Sequence, residues 1–216
     1  MGARTIVAVL AASALALPLA AQSPAAGSAH VGILAGISSA TVGGDDADEA
    51  ERLTGLVAGV YLVKPIGGGF ALRPEPFYSR RGAEAPLDEE DAVNTSARLA
   101  LAYLDVPMLL QYEGTGSSTV RPNLYLGPSF GFTTSCEEEG SGEGVAVSID
   151  CDEAESDIKS LDVGEVIGGG IVVSSGTIDD TLGARYQHGF TDLDADASVK
   201  NRVLSFYVGL EFGRKR

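Results

Sequence analysis

The segment whose residue types most suggest covalent chemistry is GPSFG, residues 127–131, which fits the G-x-S-x-G pattern of serine hydrolases. In those enzymes a serine on a strained turn attacks an acyl carbon while a histidine removes the serine proton. Ser129 is followed along the chain by several aspartates and then by His188, which is the order of such a triad. The pattern has this meaning only if the serine and the histidine reach the same space.

A second candidate for chemistry is DLDADA, residues 192–197, whose alternating aspartates resemble the first ligands of a calcium loop. The glycine and the distal glutamate of that loop are missing. A hydrated acidic connection is therefore expected, with weak divalent-cation binding by Asp192, Asp194, Asp196 and the acidic run 137–139 as the alternative. The chain has 2 histidines, too few to support a histidine metal site. We predict no metal and no cofactor.

Cys136 and Cys151 flank the acidic segment between them in a chain that has the features of an exported protein. In an oxidising compartment two such cysteines are expected to form a disulfide. The alternative, a metal pair, lacks both a C-x-x-C spacing and a nearby histidine. The sequence therefore predicts a Cys136–Cys151 bridge.

The rest of the chain consists of apolar segments with a period of two, separated by connections rich in glycine, proline and acidic residues. Such alternation indicates β-strands, and no segment shows a competing helical period. The sequence predicts an all-β protein with eight strands, at residues 30–40, 53–63, 69–81, 96–112, 120–134, 158–173, 181–191 and 202–212.

The connections between these strands alternate between long and short. Long acidic connections such as GAEAPLDEEDAVNT are followed by short ones such as EGTGSST. This alternation is typical of an antiparallel up-and-down transmembrane barrel that has short turns on the periplasmic side and long loops outside. Closure of the barrel also removes the unpaired edges that eight exported strands would otherwise expose.

The alternation also predicts which side chains face lipid and which face the lumen. In YLDVPMLLQY, residues 103–112, one face carries Leu104, Val106, Met108, Leu110 and Tyr112, whereas Asp105 and Gln111 fall on the other. Aromatic residues near strand ends fit the girdles of a membrane barrel. The lumen of an eight-stranded barrel holds side chains, so opposite charges on the polar face should close it. We predict a lumen charge network of Arg73, Glu75, Asp105, Arg185 and Glu211.

The same alternation of side chains between the two faces decides whether Ser129 and His188 can form a hydrolase site. Ser129 belongs to the lumen face of its strand, whereas His188 shares the lipid face with Tyr186 and Phe190. Nucleophile and base would lie on opposite sides of the wall, so no catalytic residues and no enzymatic activity are expected.

The N-terminus has the layout of a secretory signal, with one positive residue, an apolar stretch and small residues before the cleavage point. This predicts a signal peptide at 1–21, a short linker at 22–29 and a barrel domain at 30–216. The formal net charge of -15 excludes a nucleic-acid partner, because phosphates require a basic surface.

Six segments resemble the outer membrane protein β-barrel domain family, the small bacterial barrels often called the PorT family. They are GILAGISSA, FALRPEPFYSRRG, YLDVPMLLQY, NLYLGPSFGF, DVGEVIGGG and ARYQHGF, and the resemblance extends from His30 to Phe212. It implies an eight-stranded barrel in the bacterial outer membrane, of largely unassigned function. It also implies that the barrel assembly machinery recognises the last strand through a terminal aromatic residue, here Phe212.

The residues and the resemblance together predict a non-catalytic outer-membrane barrel with a structural, interaction or envelope-related role. Its expected partners are the outer-membrane lipid bilayer, the barrel assembly machinery and an extracellular or periplasmic protein not identified by the sequence. Two alternatives remain open at this stage. One is a secreted or periplasmic soluble barrel that binds an apolar ligand inside, with its charged face outward. The other is a small-solute channel.

Overall fold

A computed structural model describes residues 27–43, 51–86, 96–114, 119–142, 145–151, 159–193 and 199–214, so the predicted signal peptide lies outside the described residues. No helix in these ranges is long and apolar enough to cross a membrane. The described residues form eleven strands: β1 (His30–Gly43), β2 (Glu51–Gly67), β3 (Phe70–Pro74), β4 (Phe77–Pro86), β5 (Ser96–Asp105), β6 (Met108–Glu113), β7 (Val120–Gly142), β8 (Val145–Asp150), β9 (Leu161–Ser175), β10 (Ile178–Gly189) and β11 (Lys200–Phe212).

Ten of these strands form the eight staves of a closed antiparallel barrel, because β3 with β4 and β5 with β6 are each one stave with a short break. The order around the ring is β1, β11, β10, β9, β7, then the β5/β6 stave, the β3/β4 stave and β2, which pairs again with β1. The breaks fall at Pro76 and Pro107, which have no N–H to donate to a ladder. The backbone N–H of Glu75 donates to Pro107 O at 3.1 Å, so the wall stays connected there. The prediction of an eight-stranded barrel is confirmed.

The strands are staggered, and the stagger can be followed from one pair to the next. We start at Thr54 on β2 and move from each residue to its paired residue on the next strand around the barrel. After one full circuit this path reaches β2 again at Lys64, ten residues further along the strand. A stagger of this kind tilts the strands and sets the width of the lumen. The path passes through Ser39, Leu204, Tyr186, Ile167, Leu126, Leu110 and Leu72.

The two ends of the barrel differ, and we name them by their connections. The turn end carries the turns at 68–69 and 176–177, the connection at 114–119, and the residues just before β1 and just after β11. The loop end carries the longer connections. One of these differs from the prediction, because β7 runs on to Gly142 and pairs there with β5 on one side and with β8 on the other, where the sequence analysis placed only a loop.

The outer face of the wall is apolar and the inner face is polar. Leu56 and Leu124 are 66% and 64% exposed on the outside, whereas Asp105 and Gln111 are 0% and 1% exposed inside. Within YLDVPMLLQY, Leu104, Met108 and Leu110 are exposed on the outside, which confirms the predicted faces of this segment. The alternative of a soluble barrel with an apolar cavity is wrong, because the apolar side chains lie outside.

Candidate functional site in the lumen

The middle of the lumen is crossed by two arginines that share one carboxylate. Arg73 on β3 places Nη2 2.6 Å from Glu75 Oε2, and Arg185 on β10 donates from Nη1 to Glu75 Oε1. Glu75 itself lies in the break between β3 and β4, where its side chain points inward. All three residues are almost completely buried, so the two ion pairs are shielded from solvent. We call this group the middle layer.

Aromatic rings surround the same two guanidinium groups. The Arg73 guanidinium lies 4.0 Å from the Tyr61 ring centre, and the Arg185 guanidinium lies 4.1 Å from that of Phe77. Each arginine has a second ring at 5.1 Å, that of Tyr125 or Tyr207 respectively. The faces of these rings carry negative potential and attract the cations. They also flank Arg73 Nε and Arg185 Nε, which have no hydrogen-bond acceptor in the described part of the chain.

Glycines on the adjacent, paired strands make room for the lumen tyrosines. A Cβ at Gly183 would lie 2.5 Å from Tyr207 Cζ, and a Cβ at Gly168 would lie 2.5 Å from Tyr125 Oη. The two tyrosine hydroxyls are 2.9 Å apart and hydrogen-bond to each other. The glycine-rich strands β9 and β10 therefore allow two large rings to pack across the lumen.

Nearer the loop end, a second group of charges is centred on Arg81. This arginine donates to Asp105 and, at 3.1 Å, to Asp162, and its guanidinium lies 4.4 Å from the Tyr103 ring centre. Asp105 also accepts hydrogen bonds from Ser79 at 2.8 Å and Gln187 at 3.0 Å. The surroundings of Asp105 thus satisfy both of its oxygens, as a buried carboxylate requires. We call this group the upper layer.

An apolar cluster covers the upper layer at the loop end. Leu193, 4% exposed, packs with Leu101 and Tyr103 inside the mouth of the barrel. Its backbone N–H donates to Val199 O, and its carbonyl accepts from Lys159 N, both at 2.8 Å. The start of the DLDADA segment is therefore folded into the barrel mouth, contrary to the expectation that this connection is hydrated throughout.

Two arginines and two carboxylates close the turn end. Arg121 lies 2.6 Å from Glu113 and 2.9 Å from Asp179, and Arg214 lies 2.7 Å and 2.9 Å from the same two carboxylates. Burial disfavours the charged form of Arg214, but its hydrogen bonds to Asp179 and Glu113 outweigh that effect and raise its pKa. We call these four residues the turn-end lid. Arg214 lies just after β11, so a residue outside the strands forms part of the lid.

The five residues predicted as one lumen network are all buried, but they belong to three groups. Arg73, Glu75 and Arg185 contact one another in the middle layer. Asp105 instead pairs with Arg81 in the upper layer, and Glu211 accepts from His30 at 3.1 Å. The expected contacts of Asp105 and Glu211 with the two predicted arginines are therefore replaced by contacts with other partners.

Sequence reasoning missed several charged residues of the lumen. Parity placed Arg81 on the inner face, but nothing in its own strand indicated a carboxylate partner. The lumen contacts of Arg214 could not be predicted, because it follows the last strand and side-chain alternation therefore assigns it to neither face. Glu113 was placed in the short connection EGTGSST and Arg121 near the start of the strand at 120–134, and neither was given a partner.

Ser129 and His188 do not form a catalytic pair. Ser129 is fully buried in the lumen and accepts a hydrogen bond from Gln187 Nε2 at 3.1 Å. The His188 ring lies outside the wall, with the rings of Tyr186 and Phe190 at centre distances of 6.4 Å and 5.7 Å. The wall separates the two side chains, as parity predicts.

The structure describes the acidic loop-end segments only in part. Asp192 lies 3.9 Å from Lys200, whereas Asp194 and Asp196 fall outside the described residues. Within the described ranges no group of three or more histidine, cysteine or acidic residues is arranged to hold a metal ion.

The predicted disulfide is present between Cys136 and Cys151, with the Cα atoms 5.5 Å apart. Cys151 follows β8, and its backbone N–H donates to Cys136 O at 3.2 Å. The bridge therefore joins the two strands of the β7–β8 hairpin close to the barrel rim.

The comparison with protein families agrees with this architecture. The family model described as outer membrane protein beta-barrel domain matches residues 20–195. Among solved structures, Neisserial surface protein A has 16% identity and a TM-score of 0.49, and the match covers 86% of this chain and 99% of that one. OprG from Pseudomonas aeruginosa has 11% identity and a TM-score of 0.44, with 86% and 97% covered. Ail of Yersinia pestis, solved with the heparin analogue sucrose octasulfate, has 13% identity and a TM-score of 0.40, with 85% and 99% covered.

A search of curated proteins gave no significant match. The family model covers most of the chain, including seven of the eight staves that cross the wall. The chain therefore belongs to the outer membrane protein β-barrel domain family of the bacterial outer membrane.

Proposed function

We propose that the protein is a closed barrel without catalytic activity, with a structural or interaction role in the bacterial envelope. The observation that supports this most strongly is the set of charged layers across the lumen. In the middle and upper layers, three buried arginines face three buried carboxylates, Arg73, Arg81 and Arg185 against Glu75, Asp105 and Asp162.

The energetics of these layers favour a plug over a solute path. A buried charge without a partner is expensive, whereas a paired and hydrogen-bonded charge is tolerated. A solute that crossed the middle layer would have to separate Glu75 from Arg73 or Arg185. The leucine cluster at one mouth and the turn-end lid at the other add further closures.

The interaction part of the proposal concerns the loop end. The β7–β8 hairpin lies at the loop end, where its β7 strand also pairs with β5, and it is joined by the disulfide; Gly140 on it is exposed. A rigid, exposed hairpin suits contact with a partner, because little conformational entropy is lost on binding. The partner would be an extracellular protein if the long connections face outward, as the alternation of connection lengths predicts.

The finer assignments belong to the same proposal. We take residues 1–21 as the export signal and Phe212 as the residue that the barrel assembly machinery reads. The similarity to the barrels often called the PorT family rests on the six strand segments alone.

Site-specific photo-crosslinking in cells tests the interaction role. A crosslinking residue at Gly140 has open space around it, since a Cβ there would meet nothing within 4 Å. The matched control is the same residue at Leu126, which is 60% exposed on the lipid face. We expect a discrete protein adduct from position 140 and none from position 126. Solute flux through the purified barrel, together with no adduct at 140, would instead support a small-solute channel.

A further inference from the structure

Two ionisable side chains lie side by side on the outer face of the wall. Glu165 on β9 pairs directly with His188 on β10. Each stands between two buried residues of its own strand, so both side chains point away from the lumen, and Glu165 is exposed. The charged layers of the lumen use neither residue.

Apolar side chains surround this acid–base pair along the barrel axis. On β9, Leu161 lies beyond the pair towards the loop end and Ile167 lies towards the turn end, and both are exposed. On β10 the exposed rings of Phe190 and Tyr186 take the corresponding places. The pair therefore lies inside the apolar band of the wall and not at its rim.

A carboxylate in this position is costly unless it has a partner. Ionisable side chains on the lipid face destabilise a barrel in a way that depends on depth, because acyl chains offer no hydrogen-bond donor. The Glu165 side chain makes no hydrogen bond or ion pair with any residue that the structure describes. By contrast Asp180, an outward carboxylate nearer the turn end, accepts a hydrogen bond from Ser175 at 2.7 Å.

His188 is the paired residue, but its ring contacts the rings of its own strand. The imidazole is stacked on Tyr186 with an interplanar angle of 13° and meets Phe190 edge-on, at centre distances of 6.4 Å and 5.7 Å. No hydrogen bond joins it to Glu165. The carboxylate and the imidazole are thus both left to contact a partner outside their own wall.

An acid and a base on neighbouring strands form a self-complementary surface. Two copies inserted in the same direction can be related by a two-fold axis only if that axis runs parallel to the barrel axis. An axis that passes between β9 and β10 sets β9 of each copy against β10 of the other. Because directly paired residues lie at similar depth, Glu165 of each copy then meets His188 of the other.

The neighbouring residues of the same two strands fit this arrangement. Ile167 pairs with Tyr186, so the same axis sets the isoleucine of one copy against the tyrosine ring of the other. Ala184, the smallest outward side chain of β10, allows the two walls to approach closely. Association within a membrane depends on such packing and on polar contacts, because lipid chains are as apolar as the protein surface. The walls curve apart on either side, which leaves Leu126 on β7 outside the contact.

We propose that the outer faces of β9 and β10 bind a second copy of this chain in the membrane. Glu165 of each copy accepts a hydrogen bond from the imidazole of His188 of the other. These two contacts give both carboxylates a donor and shield them from lipid. The inference goes beyond the proposed function and requires only that the barrel sits in a bilayer.

Energy transfer between labelled copies of the full-length protein in phosphatidylcholine vesicles measures this association as the protein-to-lipid ratio is varied. Glu165→Leu and His188→Leu should each weaken it about tenfold, because each change removes both symmetric contacts. Both variants place an apolar side chain on the lipid face, so the barrel should still fold. The control is Lys64→Gln, an exposed residue of β2 on the far side of the ring, which should leave association unchanged.

Exchanging the two residue types separates a contact between copies from a contact within one copy. Glu165→His gives each face two imidazoles, and His188→Glu gives each face two carboxylates. Each variant alone should therefore associate about tenfold more weakly than the wild type. Energy transfer between one variant and the other should recover the wild-type strength, because every acid again meets a base across the axis.

Crosslinking gives a second measurement that changes one small side chain. The native cysteines are joined and do not react with a thiol reagent. A short bismaleimide should link two copies of Ala184→Cys in vesicles. It should not link two copies of Ala58→Cys, because that exposed outward residue lies on β2, away from the contact.

Four results would overturn the proposal. They are wild-type protein that stays monomeric at high protein-to-lipid ratio, leucine variants that associate as the wild type does, equal crosslinking at positions 184 and 58, and exchange variants that do not rescue each other. The last result would assign Glu165 and His188 to a contact within one copy. If an exchange variant fails to fold, the leucine variants and the Ala184→Cys crosslink decide the question.

Discussion

Arg185 on β10 donates a hydrogen bond from Nη1 to Glu75 Oε1 in the break between β3 and β4, across the lumen and 110 residues away in the chain. The proline at position 76 interrupts the stave and, with it, the regular run of strand pairing around Glu75. From there Glu75 also reaches Arg73, so one carboxylate holds two cations. This relationship is the centre of the closed lumen.

Glu75→Ala should destabilise the barrel by about 3 to 5 kcal/mol, because it leaves two buried arginines without their carboxylate. The measurement is the free energy of unfolding by urea in lipid vesicles, with Lys64→Ala as an exposed control expected to change it by less than about 0.5 kcal/mol. A Glu75→Ala protein as stable as the control would show that the ion pairs of Glu75 make no net contribution to the free energy of unfolding.

Leu126→Arg should cost about 2 to 4 kcal/mol in the same assay, because its side chain faces the middle of the hydrocarbon region. Leu126→Val keeps an apolar side chain at that position and should cost far less. Equal stability of the two variants would mean that Leu126 does not face lipid, and the assignment of faces would be wrong.

The faces of the wall were predictable from sequence because side-chain alternation is a property of each strand alone. Asp105 and Arg73 could be placed in the lumen from their neighbours. Which arginine meets which carboxylate was not predictable, since that depends on the stagger of ten residues around the ring. Asp105 is paired with Phe77 on the adjacent stave, and its carboxylate contacts Arg81, four residues further along that stave.

Other differences have equally local causes. The segment VAVSID of β8 alternates like a strand, but it is short and lies between acidic and glycine-rich residues. It pairs only with the extension of β7, and that extension could not be inferred without the pairing itself. Arg214 follows the last strand, and only the folded barrel brings it to Glu113 and Asp179.

Reduction of the Cys136–Cys151 bridge should loosen the β7–β8 hairpin and leave the barrel wall intact, because closed strand pairing holds the wall. Hydrogen exchange followed by mass spectrometry should show faster exchange in peptides from 137–150 after reduction, with little change in β10. In the unreduced protein the crosslinked peptide should be found intact. Equal loss of protection in β10 would show that the bridge supports the whole barrel.

Arg121→Ala should destabilise the barrel more than Arg214→Ala. The Arg121 side chain is 12% exposed and that of Arg214 is 27% exposed, so solvent screens the second arginine more. Arg121 also donates to Ser174 in addition to the two carboxylates. We expect about 1 kcal/mol for Arg214→Ala and about twice that for Arg121→Ala, measured by urea unfolding. The reverse order would assign the main closure of the turn end to Arg214.

Planar-bilayer recording of the wild-type protein tests the closed lumen most directly. The middle layer alone should block ions, so wild-type protein and Arg214→Ala should both give no steady current at voltages where the membrane itself is stable. Insertion is verified in parallel by the protease resistance of the reconstituted wall. Steady, ohmic current steps from the wild-type protein would contradict the closed-barrel account and identify the protein as a small channel.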